Sequence, residues 1–135
     1  MDFSVVTFML IALGGGLGSM ARAAVSGLVN RHGHPAWGTF VVNVSGGFLI
    51  GAGFALFLMQ VGVFNAAHGW EVTAWEVFAI GLLGGYTTVS SFALQTLDLW
   101  RAGAVRAAAV NALGSLLMCP LAAAMGAGFV HVVGG

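Results

Sequence analysis

Few side chains in this sequence can do chemistry, and the backbone of one short stretch competes with all of them. Gly84-Gly85-Tyr86-Thr87-Thr88 sets adjacent glycines beside adjacent threonines. Both pairs weaken a helix, through chain entropy and through restricted χ1 with competing hydroxyl bonds. A helix broken there frees carbonyl oxygens that can bind a cation or line an ion path; an ordinary kink reads the same residues equally well. Asn43 is a lone amide in an apolar run, fit for a pore wall or for bonding a neighbouring helix. Arg22 can snorkel to the headgroups from near a span end. His32-Gly33-His34 has no Cys or further His near in sequence and reads as a wet turn. Cys119 can form no internal disulfide and precedes Pro120, where a bend is expected. Gly14-Gly15-Gly16-Leu17-Gly18 has neither the Lys nor the preceding strand of a phosphate loop. No nucleophile–base pair or metal-ligating set shares a segment, so an enzyme is not expected.

The elements that must carry these residues are set by composition. Hydrophobic residues make up 59% of the 135-residue chain, charged residues only 6%, and the formal net charge is +0. Mean hydropathy is +1.00. A soluble domain is about one-quarter charged, so a water-soluble globule is excluded, and so is disorder. Four Arg balanced by four acids make no phosphate-neutralising patch, which excludes a basic nucleic-acid binder. The intervals 3–21, 32–70, 77–97 and 107–135 contain no Asp, Glu, Lys or Arg. Each can hold a membrane-spanning helix, which needs roughly 20 apolar residues. The segment from Gly62 to Gly69, with Asn65 and His68, reads as a loop. One domain, 1–135, with four spans at about 4–30, 36–60, 72–98 and 103–131 follows.

The spans must be helices, because lipid offers the backbone no hydrogen bonds. Runs such as Phe48-Leu49-Ile50 lack the period-two alternation of a barrel strand. The acidic start at Asp2 argues against a cleaved signal peptide. Small-xxx-small pairs, Gly14/Gly18, Gly15/Ser19, Gly47/Gly51 and Gly81/Gly85, are expected at helix contacts. Trp37, Trp70, Trp75 and Trp100 fall near span ends, where interfacial Trp collects. Arg31, Arg101 and Arg106 lie on one side, whereas Asp2, Glu71 and Glu76 lie on the other. The positive-inside rule then places both termini outside.

Three segments together resemble the small fluoride channels of the bacterial Fluc (CrcB) family: GGGLGSMAR (Gly14–Arg22), GTFVVNVSGGFLIG (Gly38–Gly51) and GGYTTVSSF (Gly84–Phe92). Asn111 and Ser115 match a fourth-helix pattern, so the resemblance covers all four spans in order. It implies an all-α membrane protein, its third helix broken at mid-membrane, working as an antiparallel homodimer of dual topology in the bacterial cytoplasmic (inner) membrane. It implies two fluoride pathways and a structural Na⁺ at the dimer centre, held by backbone carbonyls of Gly84 and Thr87 from both subunits. It places Asn43 and Phe92 on the fluoride pathway, with Ser90 and Ser91 as a hydroxyl track. Thr39, one turn before Asn43, shares its face, and Asn111 and Ser115 extend the track. Arg22 matches a pore-mouth Arg.

Neutral donors suit the task. Fluoride is strongly hydrated, so a dry pore must replace its shell, and ring edges such as that of Phe92 carry partial positive charge. Conduction requires binding that is firm but escapable. The chain departs from the family pattern at Val89, which replaces a Phe, and at Gln95, where a Glu is frequent. The one-sided Arg distribution fits dual topology poorly and raises a heteromer with an oppositely oriented paralogue. The rival readings are a small four-helix proton-coupled exporter and a noncatalytic membrane assembly subunit. The first needs an acid at membrane depth, and the acids here are expected at span ends. The second leaves the Gly-Gly/Thr-Thr cluster without a role.

Overall fold

Apolar sequence in lipid must close its backbone hydrogen bonds within each segment, and the computed structural model is helical through all four long stretches. It describes residues 4–31, 33–61 and 69–134. Asp2, His32 and residues 62–68 of the expected 62–69 loop, with Asn65 and His68, lie outside the described residues. Helix α1 is Val5–Asn30, α2 is Pro35–Val61 and α6 is Val105–Gly134. The third element comes in pieces: α3 (Trp70–Glu76), a π-helical segment (Val77–Leu83), α4 (Gly84–Tyr86) and α5 (Val89–Arg101). Each of the four is long and apolar enough to cross a membrane. Among the described residues there is no strand.

Local chemistry starts and stops these helices. Ser4 Oγ accepts from Thr7 N–H at 3.1 Å and caps α1. Asn30 closes the α1–α2 turn by accepting from Gly38 N–H at 3.0 Å. His34 serves as a helix-start acceptor, its Nδ1 taking Ala36 N–H at 3.2 Å. The turn after α5 contains Gly103 at φ 77°, a left-handed position that costs other residues a Cβ clash.

Glycine governs how the helices meet. A Cβ on Gly51 would collide with the Ala123 carbonyl, and one on Gly126 with the Phe48 carbonyl, so α2 and α6 lie backbone to backbone. Helix α1 meets the third element in the same way, with Gly18 against the Leu82 carbonyl and Gly85 against that of Gly15. Such contacts supply the packing attraction that lipid, itself apolar, cannot. Between these seams Val42, Leu83 and Tyr86 form a buried cluster joined by Val25 and Phe78. Large apolar side chains such as Leu13, Leu17, Leu116 and Leu117 face outward, as lipid-facing residues do.

A second cluster, Ala36, Leu99 and Ala108 with Ala104, joins the start of α2, the end of α5 and the start of α6. It gathers Arg31, Arg101 and Arg106 at one end of the bundle, whereas Glu71 begins the third element at the other. Trp37, Trp70 and Trp100 are exposed at helix ends. Trp75 instead turns inward, stacking on Phe57 with ring centroids 5.3 Å apart. Glu76, expected at a span end, is the last residue of α3 and is buried.

Candidate functional site

Helical structure lapses at Thr87 and Thr88, and the reason is side-chain competition for backbone groups. Thr87 (φ −79°, ψ 159°) and Thr88 (φ −153°, ψ 120°) are both extended. Thr88 N–H, which an unbroken α-helix would give to the Gly84 carbonyl, instead goes to Asn43 Oδ1 at 2.8 Å. Asn43 Nδ2 returns a bond to the Thr88 carbonyl at 2.9 Å. Ser91 N–H, the helical donor to the Thr87 carbonyl, goes to Thr88 Oγ1 at 3.2 Å. Gly84 and Thr87 are therefore among the carbonyls that lose their ordinary donors, together with those of Gly85 and Tyr86 at the end of α4. Oxygen donors of this kind suit a hard cation.

Helix α2 grips the interruption on both sides. Two residues after Asn43, Ser45 Oγ lies 2.9 Å from the Tyr86 hydroxyl while donating to the Val42 carbonyl at 3.1 Å. Since that hydroxyl proton is spent on Val42, Tyr86 is the donor to Ser45. Gly46 leaves room for the Thr87 methyl. On the α1 side, Ser19 Oγ reaches the Gly85 carbonyl at 3.4 Å.

The interruption opens onto a groove of about 500 Å³, bordered among others by Asn43, Gly84, Thr87, Val89, Phe92 and Ser115. Six residues singled out in the sequence thus converge on one concave surface. An amide nitrogen has two N–H donors; Asn43 uses one on Thr88, and the second has no partner among the described residues. Ser115 Oγ is buried and likewise has no partner among them. Val89 is 79% exposed, so the wall where the resemblance expects a second ring is open. Pro120, one turn along α6 from Leu116, has no N–H to give the Leu116 carbonyl, and Leu116 also borders the groove.

The other expected residues lie elsewhere. Thr39 is buried outside the groove. Ser90 and Ser91 each lie 3.2 Å from Thr88 Oγ1, so their hydroxyls gather on the helix cap. Gln95 Oε1 is buried without a partner among the described residues. Asn111, one turn before Ser115, borders a different cavity of about 450 Å³, with His34, Trp37 and Phe40. Arg22 is half-buried in α1, its carbonyl accepting from Ser26 Oγ at 2.6 Å. Among the described residues no group of three His, Cys, Asp or Glu could hold a metal, so a cation would depend on backbone oxygen.

Two site residues escape the sequence reading. Thr88 is the hydroxyl on which the cap converges, and only its membership of a Thr-Thr pair hints at it. Thr96 accepts from Asn111 Nδ2 at 2.8 Å and donates to the Phe92 carbonyl at 2.8 Å. Its place one turn after Phe92 is the available signal.

Comparison with known proteins gives a consistent picture. The family model described as CrcB-like protein, Camphor Resistance (CrcB) matches residues 9–127. A protein of Methylobacterium radiotolerans named fluoride-specific ion channel FluC is 45% identical, over 96% of this chain and 85% of its own length. Fluoride-specific ion channel FluC 4 of Brucella abortus is 43% identical, over 93% of this chain and 92% of its own. A protein of the first name from Opitutus terrae is 45% identical, over 88% of each chain.

Proposed function

We propose a function from one premise: this chain belongs to the CrcB family, and it is a multi-pass bacterial membrane protein. It is a fluoride channel, a passive one that lets fluoride leave the cytoplasm and lowers its concentration there. The observation that carries the reading is the donor set at the groove: the second Asn43 N–H, beyond the one given to Thr88, and the Ser115 hydroxyl, both without a partner among the described residues and both bordering the groove with Phe92. Both are neutral donors. They can replace part of an anion's hydration shell, and among the described residues no Lys, Arg or His side chain borders the groove to trap it. Phe92, which borders the groove, adds a ring edge; Thr39, Gln95, Asn111 and the Ser90–Ser91 cap, which lie outside the groove wall, carry the path beyond it. Arg22 draws anions toward the mouth.

The open groove, with Val89 and Gly84 exposed on its rim, fits closure by a second copy. In an antiparallel homodimer in the inner membrane, the Gly84 and Thr87 carbonyls of two chains would hold a structural Na⁺. Such an ion supplies fixed positive charge that joins the two interruptions. The gathering of Arg31, Arg101 and Arg106 at one end supports an oppositely oriented paralogue as the other candidate partner.

Proteoliposomes loaded with fluoride test the channel. Rapid fluoride efflux without chloride efflux, and without need of a proton gradient, is the expected result. Strict proton coupling would instead favour the exporter, for which the buried Glu76 is the one supporting observation.

A further inference from the structure

We propose that Asn43 is the positioning residue of the cation site, in addition to its place on the anion path. The inference rests on the Na⁺ reading above and identifies what makes the two carbonyls available. Asn43 Oδ1 takes the Thr88 N–H at 2.8 Å, which removes the helical donor from the Gly84 carbonyl. The same bond sets the plane of the Thr87–Thr88 peptide. That peptide is trans, so its C=O points opposite to its N–H. With the N–H held toward α2, the Thr87 carbonyl is aimed away from α2. One acceptor atom thus frees one carbonyl and directs the other.

The rest of the arrangement resists reversal. Asn43 Nδ2 holds the Thr88 carbonyl at 2.9 Å, so the following peptide cannot swing back into helical pairing while the amide stays in place. Thr88 Oγ1 retains the Ser91 N–H, leaving the Thr87 carbonyl without its own helical donor. The amide therefore couples two ion sites. Its oxygen shapes the backbone that faces a cation, and its remaining N–H is left for an anion.

The test titrates purified full-length protein in detergent with NaCl against choline chloride at constant ionic strength, reading the melting temperature. Fluoride efflux from liposomes is measured in parallel. Wild-type protein should melt higher as Na⁺ rises, with a definable midpoint. Asn43→Ala should raise that midpoint by about tenfold, the scale on which supporting contacts tune metal affinity. Asn43→Asp keeps an oxygen facing Thr88 N–H but loses the donor to the Thr88 carbonyl, so its midpoint should fall between those of wild type and Asn43→Ala while fluoride flux is lost. Ser115→Ala, a change on the anion path alone, should leave the midpoint unmoved.

An Asn43→Ala protein that loses flux yet keeps the wild-type midpoint would overturn the inference and leave the channel reading intact. Loss of the Na⁺ response in Asn43→Asp as complete as in Asn43→Ala would overturn it as well. If Asn43→Ala does not fold, Thr88→Ala is the substitute. It frees Ser91 N–H to compete with a cation for the Thr87 carbonyl and should raise the midpoint too; an unchanged value counts against the inference. Wild-type protein that ignores Na⁺ but conducts fluoride would remove the cation reading, and this inference with it, while the channel stands.

Discussion

Asn111 donates to Thr96 Oγ1 across 2.8 Å, and Thr96 passes its own proton to the Phe92 carbonyl at the same distance. The relay ties α6 to α5 one turn beyond the ring that borders the groove. Thr96→Val keeps the shape and removes the relay, leaving a buried Asn111 amide unsatisfied. Destabilisation of about 1 kcal/mol is expected, in line with interhelical hydrogen bonds in membranes. Thermal melting in detergent measures it; Thr96→Val with wild-type stability would mean that the relay is incidental.

Ser115 should behave in the opposite way. Its Oγ has no partner among the described residues, so Ser115→Ala breaks no internal bond and should leave melting unchanged. If the hydroxyl serves fluoride, one hydrogen bond to a charged species is lost, about 1.5–3 kcal/mol. Fluoride efflux should then slow by at least roughly tenfold. Full flux in Ser115→Ala would take this hydroxyl off the path.

Val89 tests the missing ring. With 79% of the residue exposed at the groove, Val89→Phe has space for an aromatic side chain without repacking the core. The expected outcome is altered fluoride flux with unchanged chloride exclusion, read by ion-selective electrodes. Identical flux in both proteins would show that one ring per chain suffices.

Gly51 tests the seam between α2 and α6. Gly51→Ala drives a Cβ into the Ala123 carbonyl and must push the helices apart, at a cost of about 1–3 kcal/mol. Gly16 has open space around it, so Gly16→Ala is the control, and melting of the two should differ.

Glu76→Gln separates the passive from the coupled reading. The buried carboxylate should be dispensable for efflux in the absence of a pH gradient. Abolished flux in Glu76→Gln would favour the exporter.

Much of the fold is legible in the sequence. Long intervals between charged residues reveal spans because an unpaired charge is expensive in hydrocarbon, and the Gly/Gly pairs reveal seams because only hydrogen allows backbone contact. The π-helical segment Val77–Leu83 is not legible. Nothing in Val-Phe-Ala-Ile-Gly-Leu-Leu distinguishes it from an α-helix, and its close backbone approach to Gly14 and Gly18 of α1 is a tertiary contact. Asn43 stands out as polar, but its two bonds to Thr88, 45 residues away, are a tertiary fact. Asn111 and Ser115 share a helical face by spacing, yet they border separate cavities, because Thr96 pulls Asn111 toward α5.

The gathering of Arg31, Arg101 and Arg106 at one end gives every chain an electrical front and back. Two identical chains packed head to tail cancel that polarity, and the pair shows the same face to both aqueous phases. With equal fluoride on both sides, its current at a given voltage should then match in magnitude its current at the reversed voltage, however asymmetric each pathway is. Any partner other than a second copy breaks the equality and makes the channel rectify.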